Sequence, residues 1–159
     1  CPVIHTENGE TGQRQFIFLD VELSENKADV DFEVSADHNA NIALSSESRS
    51  LGDMYLVVFG AWITKIAVIR KYVTQPNTER YGVTVPFSNP VLSGIPTYDH
   101  FWLTFSEGCL RIGRHSNQTP IIDWTDANPL PVNHIGVWTG SDELMKRPGS
   151  DVKPSSEVK

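Results

Sequence analysis

The chain is short of cysteine, of clustered basic charge and of long apolar runs, and each shortage removes a class of function. Among 159 residues there are two cysteines, Cys1 and Cys109, too few for a zinc-ribbon site. The net charge is −7, and residues 1–60 carry eleven acids against three bases. With no basic stripe to displace counterions, nucleic acid is not an expected partner. The five histidines are scattered. No two have metal-ligand spacing, so no metal and no other cofactor is expected. A G-x-S-x-G elbow is missing, which removes support for a nucleophile-elbow hydrolase. So is the Gly-rich strand-to-helix turn that S-adenosylmethionine enzymes usually carry in a βαβ sheet.

What is present is β-sheet pattern. The longest apolar run, Met54–Arg70, is MYLVVFGAWITKIAVIR, interrupted by Gly60, Thr64 and Lys65. A membrane helix needs roughly 20 apolar residues, so this run is too short, and no membrane segment is expected. Val57, Val58, Ile63, Thr64, Ile66, Val68 and Ile69 are β-branched, and such side chains lose rotamer freedom on a helix. The run therefore reads as two central strands meeting at Gly60-Ala61, covered on both faces, with Gly60 supplying a bend or bulge.

Elsewhere the period is two. In DVDFEVSA, Val30, Phe32, Val34 and Ala36 point one way, and Asp29, Asp31, Glu33 and Ser35 the other. In HFWLTF, Phe101, Leu103 and Phe105 oppose His100, Trp102 and Thr104. A hairpin is expected at Glu107-Gly108. Together the segments predict an all-β, antiparallel β-sandwich or jelly roll of about ten short strands. The expected organisation is an arm over 1–13, the sandwich over 14–140, and a disordered polar tail over 141–159.

Three features suggest export. The chain opens at Cys1 with no initiator Met, the balance is acidic, and Asn117-Gln118-Thr119 is an N-glycosylation sequon in a polar turn. The expected localisation is secreted, with a glycan on Asn117 and a Cys1–Cys109 disulfide. Such a bridge stabilises by about 4–5 kcal/mol on the chain-entropy model.

Four ordered blocks, FEVSADHNANIALSS, MYLVVFGAWITKIAVIR, FWLTFSEGCLRIGR and IIDWTDANPLPVNHIGVWTG, resemble the farnesoic acid O-methyltransferase-like domain. Where that family has a Gly-Gly-Trp-x-Asn-Thr run, Ala61 replaces the second Gly, and Thr64 and Lys65 replace Asn and Thr. The resemblance implies a secreted animal β-sandwich module, and its name is not taken as evidence of methyl transfer.

Asp29, Asp31 and Glu33 share a strand face, but neighbours two apart sit roughly 7 Å from each other, so they read as a solvated acidic face. Trp62, Trp102, Trp124 and Trp138 fall in different expected strands, and together could line one sheet face. Arg70, Arg111 and Arg114 have Asp123 and Asp126 as candidate carboxylate partners. The expected ligand contacts are Trp62, His100, Trp102 and Arg114. Aromatics beside a His and an Arg suit sugar stacking with hydroxyl hydrogen bonds, and suit a lipophilic small molecule equally. The leading reading is a recognition module for carbohydrate or another extracellular partner. The alternative is a small secreted enzyme on an isoprenoid ester, a hydrolase or a luciferase-like cofactor-free oxygenase. That reading requires a cavity between the sheets lined by His100 or His134.

Overall fold

The computed structural model describes residues 4–6, 17–23, 26–37, 39–47, 53–61, 65–74, 77–86, 90–94, 97–139 and 150–153. Every regular element among them is a strand: β1 (Ile4–Thr6), β2 (Ile17–Glu22), β3 (Lys27–Ser35), β4 (Ala40–Ser45), β5 (Met54–Ala61), β6 (Ile66–Thr74), β7 (Asn77–Pro86), β8 (Asp99–Ser106), β9 (Cys109–Arg114), β10 (Ile122–Thr125), β11 (His134–Thr139) and β12 (Ser150–Lys153). They form two six-stranded sheets, β1-β12-β3-β8-β9-β10 and β2-β11-β4-β5-β6-β7. All pairings are antiparallel.

Period-2 alternation builds the layer between the sheets. The first sheet buries Val30, Phe32, Val34, Phe101, Leu103, Phe105, Leu110, Ile112 and Ile122, and the second buries Ile42, Leu44, Tyr55, Val57, Phe59, Ile69, Ile135 and Val137. Aromatics bridge the two layers. Phe59 stacks on Phe101 with centroids 4.7 Å apart, and Tyr55 meets Phe105 at 5.4 Å. The expected faces of β3 and β8 are both found.

Strand β5 is buried along its whole length, as its unbroken apolar sequence requires. Tyr55, Val57 and Phe59 join the main core. Met54, Leu56 and Val58 join a second cluster with Ala43, Ala61 and Val68. Gly60 adopts φ +69° where the register with β6 shifts between Phe59 and Ala61. This is the bulge that a missing Cβ permits. At the β8–β9 hairpin, Glu107 and Gly108 have φ of +51° and +82°, the signature of a tight primed turn.

A polar rivet ties the β10–β11 connection to the second sheet. The Tyr55 hydroxyl donates to Asp126 Oδ2 (2.7 Å) and accepts from the Leu130 N–H (2.7 Å). Lys71 pairs with the same carboxylate. Burial pulls the Asp126 carboxyl up, but the Lys71 ammonium, the Asn128 N–H and the Tyr55 hydroxyl outweigh it and hold the group below its usual range. Burial likewise pushes the Tyr55 phenol well above its ordinary value.

Two expectations change. The arm and the tail, expected outside the sandwich, each supply a strand. β12 pairs with β3 through Val152↔Val34 and Lys153↔Glu33, and β1 pairs with β12. A polar sequence suffices there, because strand pairing is held by backbone hydrogen bonds that need no apolar pattern. The Cys1–Cys109 disulfide is not formed: Cys109 is a free thiol, with Sγ 3.9 Å from Asp123 Oδ1. Cys1 itself lies outside the described residues.

Candidate functional site

The outer face of the first sheet collects the polar half of its strands. Cross-strand register sets Asp31 opposite Trp102 and Glu33 opposite His100. On the other side of β8, Trp102 faces Gly113. The chain leaves β9 so that the His115 N–H donates to the His100 carbonyl at 3.0 Å, and His115 falls in the same row as His100.

Trp102 is positioned by what Gly113 lacks. A Cβ built at Gly113 would sit 2.3 Å from Cε2 and Cζ2 of the indole and 2.6 Å from its Nε1. The ring therefore lies over the bare backbone of β9. Its Nε1 donates to the Asn117 carbonyl at 2.9 Å, which fixes its rotation. The indole remains partly exposed, a fixed aromatic platform on a sheet surface.

Beside it, the His100 and His115 rings stack at 3.8 Å with planes 6° apart. Asp31 Oδ1 lies 3.6 Å from His115 Nδ1. His100 Nε2 is buried with no hydrogen-bond partner. One potential ligand atom from each of Asp31, His100 and His115 falls within 4.8 Å of the others.

The expected contact residues divide. His100 and Trp102 share this outer face. Arg114 does not join them, because alternation along β9 sends it to the core side of the sheet. There its guanidinium lies 5.3 Å from the centre of the Phe101 ring, donates to the Val91 carbonyl at 3.0 Å and sits 3.8 Å from buried Asp99. Asp99 in turn accepts from the Ser93 N–H and hydroxyl. Arg114 thus clamps the segment before β8. Trp62 lies outside the described residues. Trp124 packs against the core, with its ring 5.9 Å from Tyr55, so the tryptophans do not share one face. His134 alternates with the core residues Ile135 and Val137. Neither His100 nor His134 faces the layer between the sheets. Of the arginine–carboxylate pairs, Arg111–Asp123 forms at 3.2 Å, while Asp126 is held by Lys71 and Tyr55.

The sequence reading missed Asp31 with His115, and the roles of Gly113 and Asn117. His100 and His115 have no metal-ligand spacing along the chain, so the sequence alone does not bring them together. The only signal in the sequence was that outward positions of two strands carried Asp31, and His100 with Trp102. Their meeting depends on the strand order β3-β8-β9.

Residues 13–145 match the family described as farnesoic acid O-methyl transferase. No curated protein matches the chain. Among solved structures, the carbohydrate-binding module CBM66 from Bacillus subtilis is similar in fold, with a TM-score of 0.59 at 11% identity. The alignment covers 94% of this chain and 89% of that one.

Proposed function

The chain belongs to the farnesoic acid O-methyl transferase family, and we propose from this premise that it is a secreted, non-catalytic module that recognises carbohydrate. The observation that carries the reading is the Trp102 platform, held over Gly113 and tied through Nε1 to Asn117. A fixed, partly exposed indole offers a flat apolar surface to the C–H face of a sugar ring. Asp31 and His115, at the edge of that platform, offer hydrogen-bonding groups to hydroxyls. The sandwich fold shared with CBM66 supports the reading at the level of architecture. The outward placement of His100 and His134 favours it over a hydrolase or oxygenase, which needs a histidine inside an enclosed apolar site.

Glycan-array binding of the wild type and of Trp102→Ala tests it. The expected result is a saturable glycan signal that the variant loses while keeping its fold. Its stability cost is expected at about 1–2 kcal/mol, below the roughly 3–5 kcal/mol of truncating a core Trp. A wild type with no array signal that turns over an isoprenoid ester, with turnover lost in His100→Ala, would overturn the proposal.

A further inference from the structure

We propose that Asp31, His100 and His115 form a binding site for a divalent transition-metal ion of the zinc class on the outer face of the first sheet. The site rests on its own geometry and stands whether or not the neighbouring Trp102 platform binds sugar.

Two imidazoles and one carboxylate are the donor set of such ions, and are not the all-oxygen shell that calcium or magnesium prefers. Ligand atoms bound at about 2.0–2.2 Å to a tetrahedral ion are separated by roughly 3.4 Å. The three candidate atoms already lie within 4.8 Å of one another, within reach of side-chain rotation. Asp31 and His100 stand on paired strands β3 and β8, while His115 follows β9. The backbone hydrogen bond from His115 N–H to the His100 carbonyl holds that last turn against β8.

A second observation points to the same place. His100 Nε2 is buried without a hydrogen-bond partner, an arrangement that folded proteins rarely leave unexplained. A metal ion would take up that lone pair.

The present ring arrangement indicates what binding must change. An ion lies close to the plane of each imidazole that ligates it. Parallel rings 3.8 Å apart cannot both aim a lone pair at one point between them, so the stack must open. His115 is the member able to move, because it lies beyond the end of β9 with 58% of its side chain exposed. His100 sits near the start of β8, paired with Glu33 of β3, and provides the fixed ligand. Glu33, opposite His100 on β3, adds negative charge that favours a cation. Three protein ligands leave a fourth position open to solvent.

The test is titration of chelator-treated, full-length protein with Zn2+ by calorimetry, and with Co2+ by visible absorption, both without any sugar. The expected result is one saturable equivalent and the intense visible bands of tetrahedral cobalt. His115→Ala and Asp31→Asn should each weaken binding at least tenfold with no change in far-UV circular dichroism. Cys109→Ser should leave it unchanged, because the Cys109–Asp123 contact is separate from the proposed ligands. Binding that survives His115→Ala and Asp31→Asn, or that is lost in Cys109→Ser, would overturn the proposal, as would the lack of a saturable equivalent. Because no sugar is added, failure of the carbohydrate reading leaves this result intact, and the reverse also holds.

Discussion

The contact between Trp102 and Gly113 can be tested by a substitution whose effect reverses sign with its partner. In Gly113→Ala the added Cβ arrives 2.3 Å from two indole carbons and 2.6 Å from Nε1. Carbon atoms pack at about 3.5–4.0 Å, so the ring must lift by roughly 1.2–1.7 Å. That movement strains the 2.9 Å bond from Nε1 to the Asn117 carbonyl. Overpacking of this kind costs about 1–3 kcal/mol. Replacing a strand glycine by alanine returns about 0.5–1 kcal/mol, because glycine loses more backbone freedom on folding. The net expectation is destabilisation by about 1–2 kcal/mol, which lowers Tm by about 2–8 °C in a domain of this size. In a Trp102→Ala background there is no ring to displace, and Gly113→Ala should become stabilising by about 0.5 kcal/mol. Urea unfolding of the four proteins in this double-mutant cycle measures the coupling. Equal cost in both backgrounds would refute the claim that the indole rests on bare backbone.

Two further outcomes follow from other parts of the molecule. The Asp126 carboxyl titrates below its ordinary value in the folded protein, so its contribution is present above the unfolded pKa of about 3.9 and is lost as pH falls through the folded value. Asp126→Asn should therefore lower stability by about 1–3 kcal/mol near neutral pH and flatten the acid limb of a stability–pH curve; an unchanged limb would argue against the rivet. Asn117 is exposed, and its Oδ1 accepts from the Thr119 N–H at 2.9 Å. Peptide mapping of protein exported from animal cells should find a glycan there that Thr119→Ala removes, and an unmodified Asn117 would count against export through the glycosylating route.

How much of this was legible in the sequence depends on the range of the interaction concerned. Alternation in Lys27–Ser35 and Asp99–Ser106 fixes which side chains enter the core, since one face of a strand is set by its own residues. The Met54–Ala61 strand, its bulge at Gly60 and the turn at Glu107-Gly108 are equally local, and each was readable from a few neighbours. The pairing of Ser150–Lys153 with β3 was not, because backbone bonds carry it and the polar sequence holds no alternating signature. Arg114 shows the limit from another side. Its position in β9 implied a core-side direction, yet a charged residue near tryptophans invited a ligand role. The structure satisfies the charge instead with Asp99 and the Val91 carbonyl. The Asp31–His100–His115 group is the least local of all. The residues come from β3, β8 and the end of β9, and alternation alone puts each on an outward face without saying that the faces adjoin. Only the order β3-β8-β9 makes one surface of them. That surface sets a fixed aromatic beside two imidazoles and a carboxylate, on the side of the sheet that the core does not need. Apart from the packing of Trp102 on Gly113, the core makes no use of these side chains, and the binding roles proposed above rest on them.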